Sequence, residues 1–317
     1  MNDRQVSHGS LKPVLLYLAF GYCIPCYLFY GVTIYVLTAK RFHVHFKSNF
    51  FALFRVQGFY DLLLHFFQFI TIRLPFSGLF NSLVLNPTVS SGFFPTILYT
   101  ASYYFGYAQL IGFSLISLNR LVVLTGSPRL QMTWQRMLIP CVLSSILLPA
   151  LFTWHIAVGG AFFHEFGDGF SPNYIKFAGI RNSLYMLIIV FSVCAFTFTI
   201  NSYTIIHIIR HKANKNNWPE IKLFFLSLSG FVIHLFQGIL QLIAFTNGNC
   251  NSCLNIIFVL SPFVTDLACF TSPLFLLFTS NAFRKSLKQL FKRLPASNVG
   301  SSVRKIQTFH GNGVSKY

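Results

Sequence analysis

Hydrophobic residues gather into seven long blocks that are separated by short polar connectors. A bilayer's hydrocarbon core is about 30 Å thick, so a block of about 20 residues crosses it as an α-helix. The blocks are apolar around the whole helix and lack the period-2 alternation of a membrane β-barrel. We therefore expect an all-α membrane protein folded as a seven-transmembrane helix bundle. The predicted spans are Val14–Thr38, Phe50–Ile72, Phe93–Leu118, Met137–Val158, Ser183–Ile209, Leu223–Thr246 and Leu254–Thr279.

The composition excludes an ordinary soluble protein. The 317 residues are 54% hydrophobic and 9% charged, whereas about a quarter of the residues in soluble domains are charged. A net charge of +18 would favour a nucleic-acid partner in a soluble chain. Here the Lys and Arg residues lie mostly in short connectors between apolar blocks, which is a signal of membrane topology. We predict no nucleic-acid partner.

The distribution of basic residues predicts the orientation. Eighteen of the 24 Lys and Arg residues lie in one set of connectors and in the carboxyl tail. Five lie on the opposite side: Arg4, Lys12, Arg73, Lys176 and Arg181. Arg55, just inside the second span, is expected to extend to the basic face. Because basic loops stay in the cytoplasm, the amino terminus is predicted outside the cell and the carboxyl terminus inside.

Four segments follow from this reading. Residues 1–13 form a short extracellular amino terminus, residues 14–279 the helix bundle, and residues 295–317 a disordered cytoplasmic tail. Residues 280–294, between the bundle and the tail, carry apolar side chains at helical spacing and basic side chains on the opposite face. This pattern predicts an amphipathic helix on the inner leaflet, in contact with anionic lipids.

Two aspartates lie deep in the predicted spans. Asp61 and Asp266 each need a partner inside the bundle, because an ionised carboxylate at that depth costs about 3 kcal/mol. Together with His65 and Gln68 they form the predicted intramembrane polar core. Polar residues also join membrane helices without binding a ligand, and this structural interpretation is favoured for Asp61. For Asp266 a structural role and ligand contact both stay open.

Aromatic and polar residues at helical spacing suggest a ligand pocket. The candidate pocket residues are Tyr103, Tyr104, Tyr107, His234, Gln237, Gln241 and Asp266. The alternative for most of the aromatic residues, and for His234, is helix packing. The sequence contains no HExxH, GxSxG or P-loop motif, so we predict neither an enzyme nor a cofactor. Cys250 and Cys253 share one short outer loop without further ligands, which favours a local disulfide or two free thiols over a metal site.

Three runs carry a family resemblance. FFALFRVQGFYDLLLHFFQFITIRLP, LNRLVVLTGSPRLQMTWQRML and DLACFTSPLFLLFTSNAFRKSL resemble the Srg (class gamma) serpentine chemoreceptors of nematodes, which are seven-transmembrane G-protein-coupled receptors. Asn119 and Arg120 are similar to the Asp-Arg-Tyr position of such receptors, although Asn replaces the acid and Leu121 the aromatic residue. Ser272 and Pro273 are similar to the start of the Asn-Pro-x-x-Tyr segment, whose Asn and Tyr are missing. The third span also lacks the Cys that usually bridges to the second outer loop.

The resemblance implies a receptor in the plasma membrane, and in the family the ciliary membrane of sensory neurons. It implies a small-molecule ligand among the helices and a heterotrimeric G protein at the cytoplasmic face, with Asn119, Arg120, Ser272 and Pro273 as switch or coupling residues. For Arg120, a role as a positive-inside anchor is the alternative. A ligand-gated channel or a small transporter is the alternative function. The charge distribution disfavours a channel with a cytoplasmic amino terminus, and the span prolines show no repeat of the transporter kind.

Overall fold

A computed structural model of the chain describes residues 11–210, 218–247 and 250–292. Seven helices in these ranges are long and apolar enough to cross a membrane, which confirms the predicted number of spans. They are α1 (Leu11–Thr38), α2 (Asn49–Gln68), α3 (Phe93–Thr125), α4 (Pro128–Gly159), α5 (Asn182–Arg210), α6 (Trp218–Thr246) and α7 (Asn251–Thr279), followed by α8 (Asn281–Lys292). Residues 1–10 of the predicted amino-terminal segment, and the predicted tail 295–317, lie outside the described residues.

The second span extends further than its hydropathy indicates. Beyond α2 the chain makes a π-helical turn, Phe69–Arg73, and a short helical piece, Leu74–Phe76, so that one continuous helix runs from Asn49 to Phe76. Pro75 lacks a backbone N–H and so cannot donate the usual hydrogen bond to the preceding turn, where the helix widens. Arg73, which was counted with the basic residues of the predicted outer side, is therefore part of this long helix and not of a connector.

Two further helices pass the predicted limits of their spans. α3 continues from Leu118 to Thr125, and α4 begins at Pro128 rather than near Met137. The side chain of Ser127 accepts a hydrogen bond from the backbone N–H of Leu130, as expected of a residue that caps a helix amino terminus. Each extension contains polar or charged residues, such as Asn119 and Arg120 in α3 and Arg129 and Gln131 in α4, which ended the predicted spans too early.

The second and third spans form the centre of the bundle. Within an 18-residue apolar window of each helix, the share of buried residues is 61% in α3 and 56% in the second span, against 11% in α6. Close helix contacts rely on glycine: a Cβ at Gly112 would lie 2.3 Å from Gln57 Oε1, and one at Gly230 would lie 2.0 Å from the ring of Phe113. Side chains of α2 and α3 thus occupy the space that a larger residue would need at these glycine positions of α3 and α6.

A small antiparallel sheet covers one end of the bundle, which the all-α expectation omitted. β1 (Ser91–Gly92) pairs with β2 (Ala161–Phe166), which pairs with β3 (Gly169–Tyr174). We call this end the hairpin end. Burial raises the pKa of the Tyr174 phenol, whose hydroxyl donates to the carbonyl of Ile180 and accepts from the N–H of Asn182.

Main-chain contacts hold the hairpin on the bundle. The Gly169 position lies so close to the carbonyls of Pro75 and Phe76 that a Cβ there would come within 2.7 Å of either oxygen. Gly78, with φ +76°, faces the carbonyl of Asp168 in the same way, and Asn81 Nδ2 donates to that carbonyl at 3.0 Å. This packing fixes the hairpin without the disulfide that the third span cannot form.

Phenylalanine side chains fill the opposite end, which we call the Phe-rich end. A 3₁₀ helix, Lys40–Phe46, joins α1 to α2 and buries Phe42 and Phe46 against Phe50 and Phe54. Phe283 of α8 is fully buried in the same cluster, so the apolar face of this helix packs on the bundle. Arg55 Nη1 donates to the carbonyl of Leu37 at 3.0 Å, which satisfies a free carbonyl at the end of α1.

Candidate functional site

Asp61 lies at the centre of the bundle and is held by uncharged groups. Its Oδ1 accepts hydrogen bonds from Gln57 Nε2 at 2.9 Å and from Gln109 Nε2 at 2.7 Å, and its Oδ2 accepts one from the Tyr30 hydroxyl at 2.5 Å. The carboxyl is fully buried. Gln57 is one helical turn before Asp61, whereas Tyr30 and Gln109 come from α1 and α3. The cluster therefore ties three helices together.

Asp266 lies nearer the hairpin end and is held by charged and titratable groups. Its Oδ2 accepts hydrogen bonds from Arg73 Nη2 and from the Tyr22 hydroxyl. Its Oδ1 lies 2.9 Å from His65 Nε2. Arg73 also donates to the Tyr22 oxygen at 3.2 Å. The predicted partner of the second acid is thus an arginine that the π-helical turn of the second span carries into the bundle.

His65 connects this cluster to α1. Its Nδ1 lies 2.8 Å from the Tyr27 hydroxyl, and its Nε2 lies 3.3 Å from Cys23 Sγ. Both contacts come from the same face of α1, because residues 23, 27 and 30 are separated by four and three positions. The sequence placed His65 with Asp61 on one face of α2, but the histidine side chain reaches Asp266 instead.

A cavity of about 80 Å³ lies between the second, third, sixth and seventh spans, with a contribution from α5. Among the described residues that line it, none is charged. They are Gln68, Thr71, Ile72, Tyr99, Ser102, Tyr103, Gly106, Met186, Gln237, Leu240, Gln241, Ile257 and Ser261. Tyr99 stacks on Tyr174 of β3 with ring centroids 5.9 Å apart, so the hairpin adjoins the cavity wall. The site offers hydrogen bonds and apolar contacts to a small molecule.

The predicted pocket residues separate into two groups in the structure. Tyr103, Gln237 and Gln241 line the cavity, and Gln68, predicted for the polar core, lines it as well. The other four lie elsewhere. Tyr104 donates to the carbonyl of Ile146, Tyr107 donates to Asn182 Oδ1, His234 packs on Phe113 beside Gln237, and Asp266 pairs with Arg73.

The Phe-rich end holds the predicted switch residues of the third span. Asn119 Oδ1 accepts a hydrogen bond from Trp134 Nε1 of α4 at 2.8 Å. Arg120 is a buried residue, 1% exposed. Its guanidinium carbon lies 3.6 Å from the centroid of the Phe50 ring. Both residues line a polar cavity of about 360 Å³ that also contains Lys47 and Trp134. A cation on an aromatic face is stabilised by the ring quadrupole, so Arg120 is held in place before any partner binds.

Comparison with known proteins agrees with this architecture. The Srg family of chemoreceptors matches residues 16–287. The chain belongs to the Srg family. Serpentine receptor class gamma-31 of Caenorhabditis elegans is 24% identical, with 92% of this chain and 96% of that protein covered. Serpentine receptor class gamma-16 of the same nematode is 25% identical, with 92% of this chain and 90% of that protein covered.

The family settles two of the broader expectations. This Srg protein is a multi-pass membrane chemoreceptor, as the hydropathy pattern and the resemblance indicated. The family consists of receptors and not of enzymes, in agreement with the missing catalytic motifs.

The remaining site residues of this Srg protein lie in α7 and at its amino-terminal end. Ser272 and Pro273 are buried in α7, where Pro262 and Pro273 interrupt the helical hydrogen bonds. Cys250 and Cys253 are joined as a disulfide at the start of the same helix. Cys250 is also the residue that caps α7, since its sulfur accepts from the N–H of Cys253 at 3.2 Å.

Sequence reasoning missed the contribution of α1 and of Gln109. Tyr22, Cys23, Tyr27 and Tyr30 all contact a buried acid or its histidine, but tyrosines are common in this chain and draw no attention individually. The detectable signal is the spacing of Cys23, Tyr27 and Tyr30, which places three hydrogen-bonding side chains on one face of an otherwise apolar helix.

Proposed function

We propose that this Srg protein binds a small uncharged molecule in the cavity at the hairpin end and signals to a heterotrimeric G protein at the Phe-rich end. The observation that carries the proposal is the match of the chemoreceptor family over residues 16–287. The proposed location is the plasma membrane, in the family's sensory cilia.

The charge distribution supports an orientation with the hairpin end outside. The connectors at the Phe-rich end carry the basic residues, as expected of cytoplasmic loops. Arg73 had counted against this orientation, but its guanidinium pairs with Asp266 inside the bundle. Only four basic residues of the sequence then remain on the proposed outer side: Arg4, Lys12, Lys176 and Arg181.

The chemistry of the cavity supports an uncharged ligand. Gln68, Gln237 and Gln241 offer both donors and acceptors, and Tyr99 and Tyr103 add aromatic surface. A charged ligand would lose its hydration without gaining an opposite charge from any described lining residue. Ligands with one or two hydroxyl, carbonyl or ether groups on a small apolar body fit this lining.

Signalling requires that the ligand bind one arrangement of the helices more tightly than another. The cavity lies among the second, third, fifth, sixth and seventh spans, so a ligand contacts most of the helices that reach the opposite end. There, Arg120 and Asn119 link α3 to α2 and α4 through Phe50 and Trp134. A shift of α3 would change both contacts and open the 360 Å³ cavity to a G protein.

A panel of small uncharged molecules tests the proposal. Full-length protein is expressed in cells with a co-expressed G protein, and nucleotide exchange is measured together with ionic current. Exchange without current supports the receptor, whereas current without exchange would favour the alternative of a ligand-gated channel.

Gln241→Leu tests the ligand cavity with any active compound from that panel. The loss of one hydrogen bond worth about 1.4 kcal/mol is expected to raise the ligand concentration that gives half-maximal exchange about tenfold. Tyr104→Phe is the control, because its hydroxyl donates to Ile146 outside the cavity. Equal dose-response curves for wild type and Gln241→Leu would remove the cavity from the proposal.

Arg120→Ala tests the coupling end. We expect surface expression to persist and stimulated exchange to be lost, because the residue that joins α3 to Phe50 is removed. Arg129→Ala, which removes an exposed cation at the start of α4, is the matched control and is expected to signal normally. If both variants signal alike, Arg120 is an anchor for topology and not a switch.

A further inference from the structure

Cys23, His65 and Asp266 form a cluster that the proposed ligand cavity does not use. One potential ligand atom from each, Cys23 Sγ, His65 Nε2 and a carboxylate oxygen of Asp266, lies within 4.8 Å of the other two, and all three residues are buried. We propose that this cluster binds a divalent transition-metal ion of the zinc type, with α1, α2 and α7 each supplying one ligand. The sequence analysis predicted no metal site, and no short motif reveals this one, since His65 and Asp266 are 201 positions apart.

The spacing of the ligand atoms agrees with tetrahedral coordination. Zinc binds sulfur at about 2.3 Å and nitrogen at about 2.0 Å, so two such ligands at a tetrahedral angle are about 3.5 Å apart. Cys23 Sγ and His65 Nε2 are 3.3 Å apart. His65 Nε2 and Asp266 Oδ1 are 2.9 Å apart and need to separate by a few tenths of an ångström.

The groups behind the ligands also fit a metal site. Metal-binding histidines usually donate their second ring N–H to an oxygen, which fixes the ring. Here His65 Nδ1 lies 2.8 Å from the Tyr27 oxygen, and the Tyr27 hydroxyl can pass its own hydrogen to the carbonyl of Leu62 at 3.3 Å. Arg73 and Tyr22 both contact Oδ2 of Asp266, which leaves Oδ1 directed at His65.

Binding of the ion releases the thiol proton of Cys23 and leaves the one ring proton of His65 on Nδ1, where it can be donated to the Tyr27 oxygen. The thiolate and the Asp266 carboxylate offset the two charges of the ion, and the Arg73 guanidinium gives the loaded cluster one net positive charge. Arg73 keeps its hydrogen bond to the other carboxylate oxygen. A fourth coordination position is left for water or for a ligand. Asp266 also lines an apolar cavity of about 380 Å³ between α1 and α7, which leaves space beside the carboxylate.

Cobalt provides a direct probe of the cysteine. Purified full-length protein without a polyhistidine tag is titrated with Co²⁺ in non-reducing buffer, so that Cys250 and Cys253 stay paired. We expect a thiolate-to-cobalt charge-transfer absorption that saturates at one equivalent and is displaced by Zn²⁺. Cys23→Ala is expected to abolish it. Cys26→Ala is the matched control, because this thiol lies one turn along α1 outside the cluster, and it is expected to keep the full signal.

Tyr27→Phe tests the support of the histidine. Loss of the hydrogen-bond partner of a metal ligand weakens metal affinity by about 10-fold to 100-fold. We therefore expect the cobalt absorption to persist in this variant with a larger dissociation constant. X-ray absorption of the zinc-loaded wild type is a test that does not depend on the folding of a variant. We expect the zinc ion to be coordinated by one sulfur together with nitrogen and oxygen atoms. A shell without sulfur, or a cobalt band that survives Cys23→Ala, would overturn the proposal, as would the lack of any band in the wild type.

Discussion

The two buried aspartates show two different ways to keep an acid inside a membrane bundle. Asp61 is held by two glutamine amides and a tyrosine hydroxyl, so its described partners carry no charge. Asp266 shares its carboxylate between Arg73, Tyr22 and His65. The first arrangement supplies hydrogen bonds, whereas the second also supplies an opposite charge. The same substitution should therefore have different consequences at the two positions.

The largest expected effect is that of Asp266→Asn. This change leaves the Arg73 cation buried without its counter-charge, and breaking a buried pair on one side costs about 3–5 kcal/mol. Asp61→Asn should cost about 1 kcal/mol. At that position Oδ1 can still accept from both glutamines, and the new amide can donate to the Tyr30 oxygen.

Thermal unfolding in detergent gives the stability of Asp266→Asn and of Asp61→Asn. The double variant Arg73→Gln/Asp266→Asn is the control, because it removes both charges of the buried pair. The double variant should recover part of the lost stability. Equal losses for the two single variants would show that charge does not distinguish the clusters.

Gly112→Ala should disturb the Asp61 cluster alone. A Cβ at position 112 would lie 2.3 Å from Gln57 Oε1 and push the glutamine amide away from Asp61. Overpacking of this kind costs about 1–3 kcal/mol. Gly106→Ala on the same helix is the control, since the nearest atom to its Cβ is Leu64 Cδ1 at 3.7 Å. Similar melting temperatures for the two variants would contradict the proposed tight contact between α2 and α3.

The smallest expected loss is that of Tyr22→Phe, which is compared with Tyr30→Phe. Tyr30→Phe removes the described donor to Asp61 Oδ2, and an unsatisfied buried acceptor costs about 1–3 kcal/mol. Tyr22→Phe leaves Arg73 on the same oxygen of Asp266, so its cost should be near 0.5–1 kcal/mol, roughly that of one net hydrogen bond. Denaturant titration of both variants provides the comparison. A larger loss for Tyr22→Phe would show that the phenol, and not the guanidinium, stabilises Asp266.

Hydropathy predicted the spans well because the length and composition of a membrane helix follow directly from bilayer thickness. It was less successful where helices continue with polar residues, as α4 does from Pro128 to Gln135, and where a charged residue is pulled into the bundle, as Arg73 is. The residue types of the site were also visible: Asp61, His65, Gln68 and Asp266 were all expected in the interior.

Their pairing could not be predicted from the sequence. Whether His65 turns to Asp61 or to Asp266 depends on the rotation of each helix and on the π-helical turn after Gln68, and no local pattern determines either. The sheet at the hairpin end was also missed. Two of its three strands, β2 and β3, lie in the connector between α4 and α5, which is too short and too polar to suggest a membrane span.

The fit of the hairpin on the second span has a consequence for how such receptors can diversify. The turn of the hairpin meets Pro75, Phe76 and Gly78 through main-chain atoms, with hydrogen at positions 78 and 169 where other residues would carry a methyl group. Strand side chains add to this attachment, since Phe166 packs on Phe76 and Phe258, and Phe163 and Phe170 are buried with Val84. Hairpin positions with exposed side chains, such as Glu165 and Asn173, can therefore change among related receptors while the hairpin stays attached.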